Sequence, residues 1–249
     1  GVLVINTCLL FRSDLLLFFL NAENRGLAVN IQQTFPQNIF RAYDIRGKLS
    51  NLTPDIICSI AHALAQQYKY AEQTQIVIGY DARLTSPSYA NIIQKVLEQQ
   101  GLNVTNIGCC SSPMMYYIAR DFGGNGIMVT ASHNPMDYNG LKLVRENARP
   151  IGADSGLKEI QTLAESEQFI EVNQKGSTEK YNILPEFIQH LMGYINPSSI
   201  RPLKLVMNAG NGAAGHVIDA IEQKFQQLNI PVEFIKIHHE ADGNFPNGI

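Results

Sequence analysis

The richest chemistry in the chain sits at Thr130-Ala131-Ser132-His133-Asn134-Pro135. An apolar run, Ile127-Met128-Val129, feeds into it. That pattern reads as a buried strand delivering a serine into a turn, with small Ala131 before it and Asn134-Pro135 bending the chain after it. Open α/β sheets place ligands outside the carboxyl ends of their strands. A hydroxyl exposed there can carry a phosphoryl group, which brings about −1.5 to −2 charges and three strong acceptor oxygens. Donors and cations must then gather around it. His133 and Asn134 are adjacent, and Lys142 lies on the strand that follows. On spacing alone, a serine that merely caps a turn is the commoner case.

Other candidates carry less. Gly210, Gly212 and Gly215 follow a strand and open a helix, the spacing of a dinucleotide fingerprint. The acid expected at the end of the next strand is missing, because Lys236-Ile237-His238 stands there. A tight strand-to-helix turn with close packing is the plainer reading. The four cysteines, Cys8, Cys58, Cys109 and Cys110, form neither a disulfide framework nor a zinc pattern, and read as buried, reduced thiols. His238 and His239 are neighbours on a strand and point to opposite faces, which disfavours a shared metal.

These residues need a scaffold, and the composition supplies one. The chain has 249 residues, 45% hydrophobic and 16% charged, with a net charge of −3. That is globular, and no basic field exists to hold nucleic acid. Residues 1–34 are apolar but interrupted by Asn6, Arg12 and Asp14, and their longest clean run is Leu15–Leu20. A membrane span needs about 20 such residues, so none is expected. We read 1–34 as a flank outside any domain.

From about Phe35 the order is regular. Thr53-Pro54-Asp55 starts a helix with an N-cap hydroxyl, a proline at the first position and an acid near the positive end. Gln75–Tyr80 predicts a strand, Ser86-Pro87 a second helix and Leu102–Ile107 the next strand. Short helix, strand, loop and strand follow across Pro113–Arg145, then helices over Leu157–Ala164 and Leu184–Ile195. The strand–helix–strand order predicts an α/β fold: a mixed, mostly parallel sheet sandwiched by helices. Polar Glu165–Lys180 reads as a connection between two domains, 35–178 and 179–249. The second unit repeats the pattern with strands at Leu203–Ala209 and Val232–Ile237, and reads as an incomplete domain of similar kind.

Four segments, in order, carry a resemblance that spacing alone does not. They are Phe40-Arg41-Ala42-Tyr43-Asp44-Ile45-Arg46-Gly47; Gly79-Tyr80-Asp81-Ala82-Arg83 with Ser86; the serine segment continued through Asp137-Tyr138-Asn139-Gly140-Leu141-Lys142; and Asn208-Ala209-Gly210-Asn211-Gly212 with Asp242-Gly243-Asn244-Phe245-Pro246-Asn247. Together they resemble the front half of an α-D-phosphohexomutase of the phosphomannomutase/phosphoglucomutase kind.

The resemblance implies a cytoplasmic isomerase of carbohydrate metabolism that moves phosphate between C1 and C6 of mannose or glucose phosphate through a phosphoserine. It implies that Ser132 carries the phosphate and ligates Mg²⁺, that His133 orients the serine loop, and that Lys142 transfers a proton or stabilises charge. Tyr43 and Arg46 would face the phosphoserine or the sugar, and a hexose bisphosphate would act as activator. Asp81 and Arg83 are expected to form a structural ion pair nearby. The family's Asp-x-Asp-x-Asp metal loop has no counterpart here, since no Asp-x-Asp occurs in the sequence. The remaining Mg²⁺ ligands are therefore expected beyond the C-terminus. The chain reads as a truncated, inactive portion of such an enzyme, or alternatively as a non-catalytic sugar-phosphate-binding remnant.

Overall fold

The computed structural model describes residues 35–249 save Gln37 and Glu171. The expectation for 1–34 lies outside the described residues. The unit traced below spans Asn38–Ile249.

Its main sheet is built from β1 (Ile45–Lys48), β2 (Gln75–Tyr80), β3 (Asn103–Cys109), β4 (Gly126–Val129), β5 (Tyr138–Arg145), β6 (Arg149–Pro150) and β7 (Thr178–Lys180). The order across it is β1-β5-β4-β2-β3-β7, with β6 pairing to β5. β2 pairs in parallel with β3 and β4, and β3 with β7. β5 runs antiparallel to β4, β1 and β6. A second sheet pairs β8 (Leu203–Asn208) in parallel with β9 (Val232–Ile237). The mixed, mostly parallel α/β architecture is as the sequence predicts.

The first helix begins on a side-chain cap. In α1 (Pro54–Tyr70), Thr53 Oγ1 accepts from Ile56 N at 3.4 Å, with Pro54 and Asp55 in the first turn. α2 (Ser86–Gln99) packs beside α1, and α4 (Lys158–Ser166) packs against α1 from its other side. The opposite face of the sheet meets α3 (Ser112–Ala119) and α5 (Leu184–Met192). There Val77, Ile107, Met128 and Val144 of the strands bury against Met114, Met115 and Ile118 of α3 and Phe187 of α5. Strand side chains alternate, so Ile45, Ile78, Ile127, Leu141 and Leu143, all fully buried, belong to the other face.

One reading needs correction. The polar stretch Glu165–Lys180 is not only a connection, because β7 lies within it and pairs Val104 with Thr178. An edge strand needs no apolar alternation, and charged residues such as Glu179 and Lys180 blunt the edge. Cys109 and Cys110 are free thiols as expected, with burial pushing Cys110 up to about 12.

α6 (Gly215–Gln227) covers one face of the second sheet through Phe225 and Phe234. Val206 and Ile235 on the other face are exposed. A Cβ at Gly215 would overlap His239 O, so that glycine serves close backbone packing.

Candidate active site

β4 ends at Val129, and Thr130-Ala131 carry the chain over the carboxyl edge of the sheet to Ser132. The loop then returns as β5. Ser132 and His133 are both exposed. Ser132 has φ of 56°, in the left-handed region. A non-glycine residue there costs roughly 1–2 kcal/mol, so its surroundings must hold it. Ser132 Oγ lies 3.4 Å from His133 Nδ1.

The hold comes from Arg83, at the start of the loop after β2. Its side chain is 2% exposed. Nη2 donates to Ser132 O at 3.0 Å and Asn134 O at 2.6 Å, while Nη1 donates to Pro135 O at 2.8 Å and Tyr138 O at 3.1 Å. Burial pulls this guanidinium below its usual range, and the Asp81 charge opposes that shift. Asp81 Oδ2 stands 3.2 Å from Arg83 Nε and accepts from Thr130 Oγ1 at 2.6 Å. Thr130 Oγ1 in turn accepts from Ser132 N at 2.9 Å. Asp81 Oδ1 accepts from Ser86 Oγ at 2.6 Å and from Arg83 N at 3.0 Å. Fully buried Asn139 closes the network by donating to Thr85 Oγ1 and Ser86 Oγ.

A second set of residues meets the loop from β1. Arg46 Nη1 donates to Asn134 Oδ1 at 2.6 Å, and Arg46 also forms an ion pair with Asp44. Arg41, Tyr43, Asp44, Arg46, Asn134 and Tyr138 line a cavity of about 360 Å³. Tyr43 is 76% exposed at its mouth. Arg46 is opposite Gly140 in the β1–β5 ladder, and Lys142 lies two residues further along β5. Directly paired residues and i, i+2 neighbours share a face, so Arg46 and Lys142 lie on the same side of the sheet. Lys142 is half-buried and makes no ion pair or hydrogen bond to another described residue. A Cβ at Gly140 would overlap Ile45 O, so only glycine lets β1 approach β5 here.

The structure thus bonds Arg46 to Asn134 of the serine loop, places Tyr43 on the cavity they line, and sets Ser132 beside His133. Ser132 makes no hydrogen bond to Tyr43, Arg46 or Lys142. Arg83 does far more than pair with Asp81. The signal was present in the sequence as an Asp-x-Arg directly after a buried strand, but nothing local shows that the arginine turns toward a loop some 50 positions away.

Among the described residues, no group of three or more His, Cys, Asp or Glu side chains is placed to hold a metal ion. Mg²⁺ prefers near-octahedral oxygen coordination. The serine loop brings it one exposed hydroxyl, and the nearby Asp81 carboxylate is committed to Thr130, Ser86 and Arg83. The described residues by themselves do not assemble a Mg²⁺ site.

An α/β/α layering with an exposed serine turned out at the carboxyl edge defines a class. The chain belongs to the phosphoglucomutase/phosphomannomutase family: residues 37–171 match its alpha/beta/alpha domain I. Among individual relatives, it is 51% identical over 215 residues to a phosphomannomutase of Vibrio cholerae serotype O1, covering 84% of this chain and 46% of the relative. It is 48% identical over 214 residues to a phosphomannomutase of Escherichia coli K12, with 84% and 46% covered. A crystal structure of a phosphoglucomutase/phosphomannomutase family protein from Burkholderia thailandensis superposes with a TM-score of 0.75 at 31% identity, covering 86% of this chain and 46% of that one. The chain therefore spans about half the length of the relatives it matches. No helix among the described residues is long and apolar enough to cross a membrane.

Proposed function

We propose that this chain supplies the phosphate-carrying serine of a phosphohexomutase acting in the cytoplasm on mannose or glucose phosphate. The observation that supports this most is Ser132 itself: exposed, in a left-handed turn at the carboxyl edge, and held there by a buried guanidinium. The proposed division is a first domain at 35–178 carrying the serine loop and a partial second domain at 179–249.

In this reading the sugar hydroxyl oxygen attacks the phosphorus of phosphorylated Ser132, the Oγ–P bond breaks, and a hexose bisphosphate forms. The bisphosphate turns over and its other phosphate returns to Ser132 Oγ. His133 Nδ1, at 3.4 Å from Oγ, is within reach to move a proton at the serine oxygen. Arg46, Tyr43 and half-buried Lys142 offer donors and positive charge on the approach side. Phosphoryl transfer depends mainly on such positioning and charge neutralisation. Mg²⁺, when bound, would neutralise charge on the transferring group, with Ser132 as the ligand this chain offers.

The lack, among the described residues, of a carboxylate cluster able to hold a metal ion favours a second reading, a protein that binds sugar phosphate without turnover. One experiment separates the two. The purified protein is incubated with glucose 1,6-bisphosphate and its intact mass and phosphopeptides are measured. One phosphoryl group on Ser132, absent in Ser132→Ala, supports the mutase chemistry. Binding of bisphosphate with no covalent transfer supports the second reading. Conversion assays with mannose 1-phosphate and glucose 1-phosphate then decide the sugar.

A further inference from the structure

We infer that Arg83 is the positioning residue of the phosphate-carrying loop, acting through backbone carbonyls and not on substrate. The inference rests on the assignment of Ser132 as the phosphate carrier, and it deepens that reading.

The first observation is placement. Arg83 is 2% exposed, which is unusual for a cation that has only one carboxylate partner, Asp81. A purely structural ion pair would be satisfied by Asp81 and its neighbours. Instead, both terminal nitrogens point at the loop and meet four carbonyls, those of Ser132, Asn134, Pro135 and Tyr138. A planar fork suits this arrangement, and an ammonium on a flexible stem does not.

The second observation is what those bonds hold. The left-handed Ser132 is disfavoured for a side chain with a Cβ and persists only where its surroundings over-determine it. Two restraints converge on that residue. Its carbonyl is fixed by Arg83, and its N–H by Thr130 Oγ1, which Asp81 orients. Arg83 and Asp81 are themselves an ion pair, so both ends of the Ser132 backbone are referred to one charge pair whose cation is buried. Electrostatics follows the same geometry. Each carbonyl turned toward Arg83 has its negative end withheld from the anion that Ser132 would carry.

The third observation lies on the far side of the arginine. The Phe245 ring stands 5.5 Å from the guanidinium carbon. Gly243 packs so closely that a Cβ there would lie 2.6 Å from Ala82 O. The loop of Asp242–Asn247 therefore helps cover the cation, which strengthens its bonds to the carbonyls.

The test uses the full-length protein with Arg83→Lys, which keeps a buried charge near Asp81 but removes the fork. Thr130→Val, of similar shape, cuts the other restraint and serves if the lysine variant does not fold. Hydrogen exchange is read at the amides of Ser132, Asn134 and Tyr138, and phosphoryl loading of Ser132 from glucose 1,6-bisphosphate is read by mass. In either variant, exchange at these amides should rise by about tenfold or more while the rest of the sheet stays protected. The loading rate at saturation should fall by about 10²-fold with KM changed by less than about threefold, because a misplaced nucleophile costs turnover and not affinity. Unchanged exchange at the three amides, or a loss confined to KM, overturns the inference. Failure of the wild-type protein to load Ser132 overturns the mutase reading instead, and the exchange measurement then decides the loop-holding role by itself.

Discussion

Arg46 and Asn134, 88 positions apart, are joined by a hydrogen bond of 2.6 Å from Arg46 Nη1 to Asn134 Oδ1. The β1 strand is thus tied directly to the serine loop, and the loop's second residue after Ser132 forms one wall of the cavity behind Tyr43. The cation has a second partner in Asp44, so its position is fixed from both sides.

Arg46→Gln should therefore weaken catalysis more than folding. It removes the positive charge from the cavity wall and, being shorter, the hydrogen bond to Asn134. We expect kcat/KM for hexose phosphate to fall by about 10²- to 10³-fold in the full-length enzyme, the range for losing one preorganised charge-stabilising donor. The midpoint of urea unfolding should move little, since partly exposed ion pairs contribute about 1 kcal/mol or less. Equal losses of activity and stability would speak against a role at the site.

Ser132 allows a comparison of two substitutions. Both Ser132→Ala and Ser132→Gly should abolish phosphoryl loading, because no other hydroxyl stands in the same place. They should differ in stability. Alanine keeps the Cβ and the strain of the 56° φ, whereas glycine relieves it. The glycine variant should be the more stable by about 1 kcal/mol in denaturant unfolding.

Gly140→Ala should be severely destabilising although it adds one methyl group. The new Cβ would overlap Ile45 O and crowd Arg46 Cα, at 3.1 Å, and neither atom can move without parting β1 from β5. Overpacking of this kind costs about 1–3 kcal/mol or more. Chemical unfolding measures it, and a wild-type midpoint would show that β1 is not held at this register.

His62 predicts an acid-labile contact. It is buried in α1, stacks on Phe169 at 4.5 Å between ring centroids, and has no hydrogen-bond partner among the described residues on either ring nitrogen. Burial, aided by the Lys69 charge, pulls it down to about 4 from an ordinary 6.5. Between those values the unfolded chain takes up a proton that the native protein refuses, so stability is full above about pH 6.5 and is lost as the pH falls toward 4. The loss should reach about 3 kcal/mol by pH 4, because holding the ring neutral costs about 1.4 kcal/mol for every pH step below its ordinary value. Urea unfolding of wild type against His62→Phe across this window isolates the effect, since phenylalanine keeps the ring and has nothing to protonate.

The scaffold was readable in the sequence where local physics decides it. Thr53-Pro54-Asp55 fixed the start of α1 because cap, proline and acid act within one turn. The strand cores of β2 and β4 were plain because burial on both faces demands unbroken apolar runs. β7 was hidden because an edge strand is recognised by its partner β3 and not by its own residues. The site divided along the same line. Ser132 and His133 are neighbours in sequence and were found together. The Arg83 bonds to four loop carbonyls are set by how two loops cross above the sheet, which no spacing within either loop encodes.

α5 lies between two cores. Ile183 and Phe187 bury with α3 against the main sheet, while Ile188 and Met192 bury with α6 beside the second. A protein cut after β7 would leave the α3 face without Phe187, and one begun after Met192 would strip α6 of its partner. α5 therefore ties the two cores to each other. An exchange of modules between relatives would have to replace α5 together with the surfaces on both of its sides, or accept a cavity in whichever core received the foreign helix.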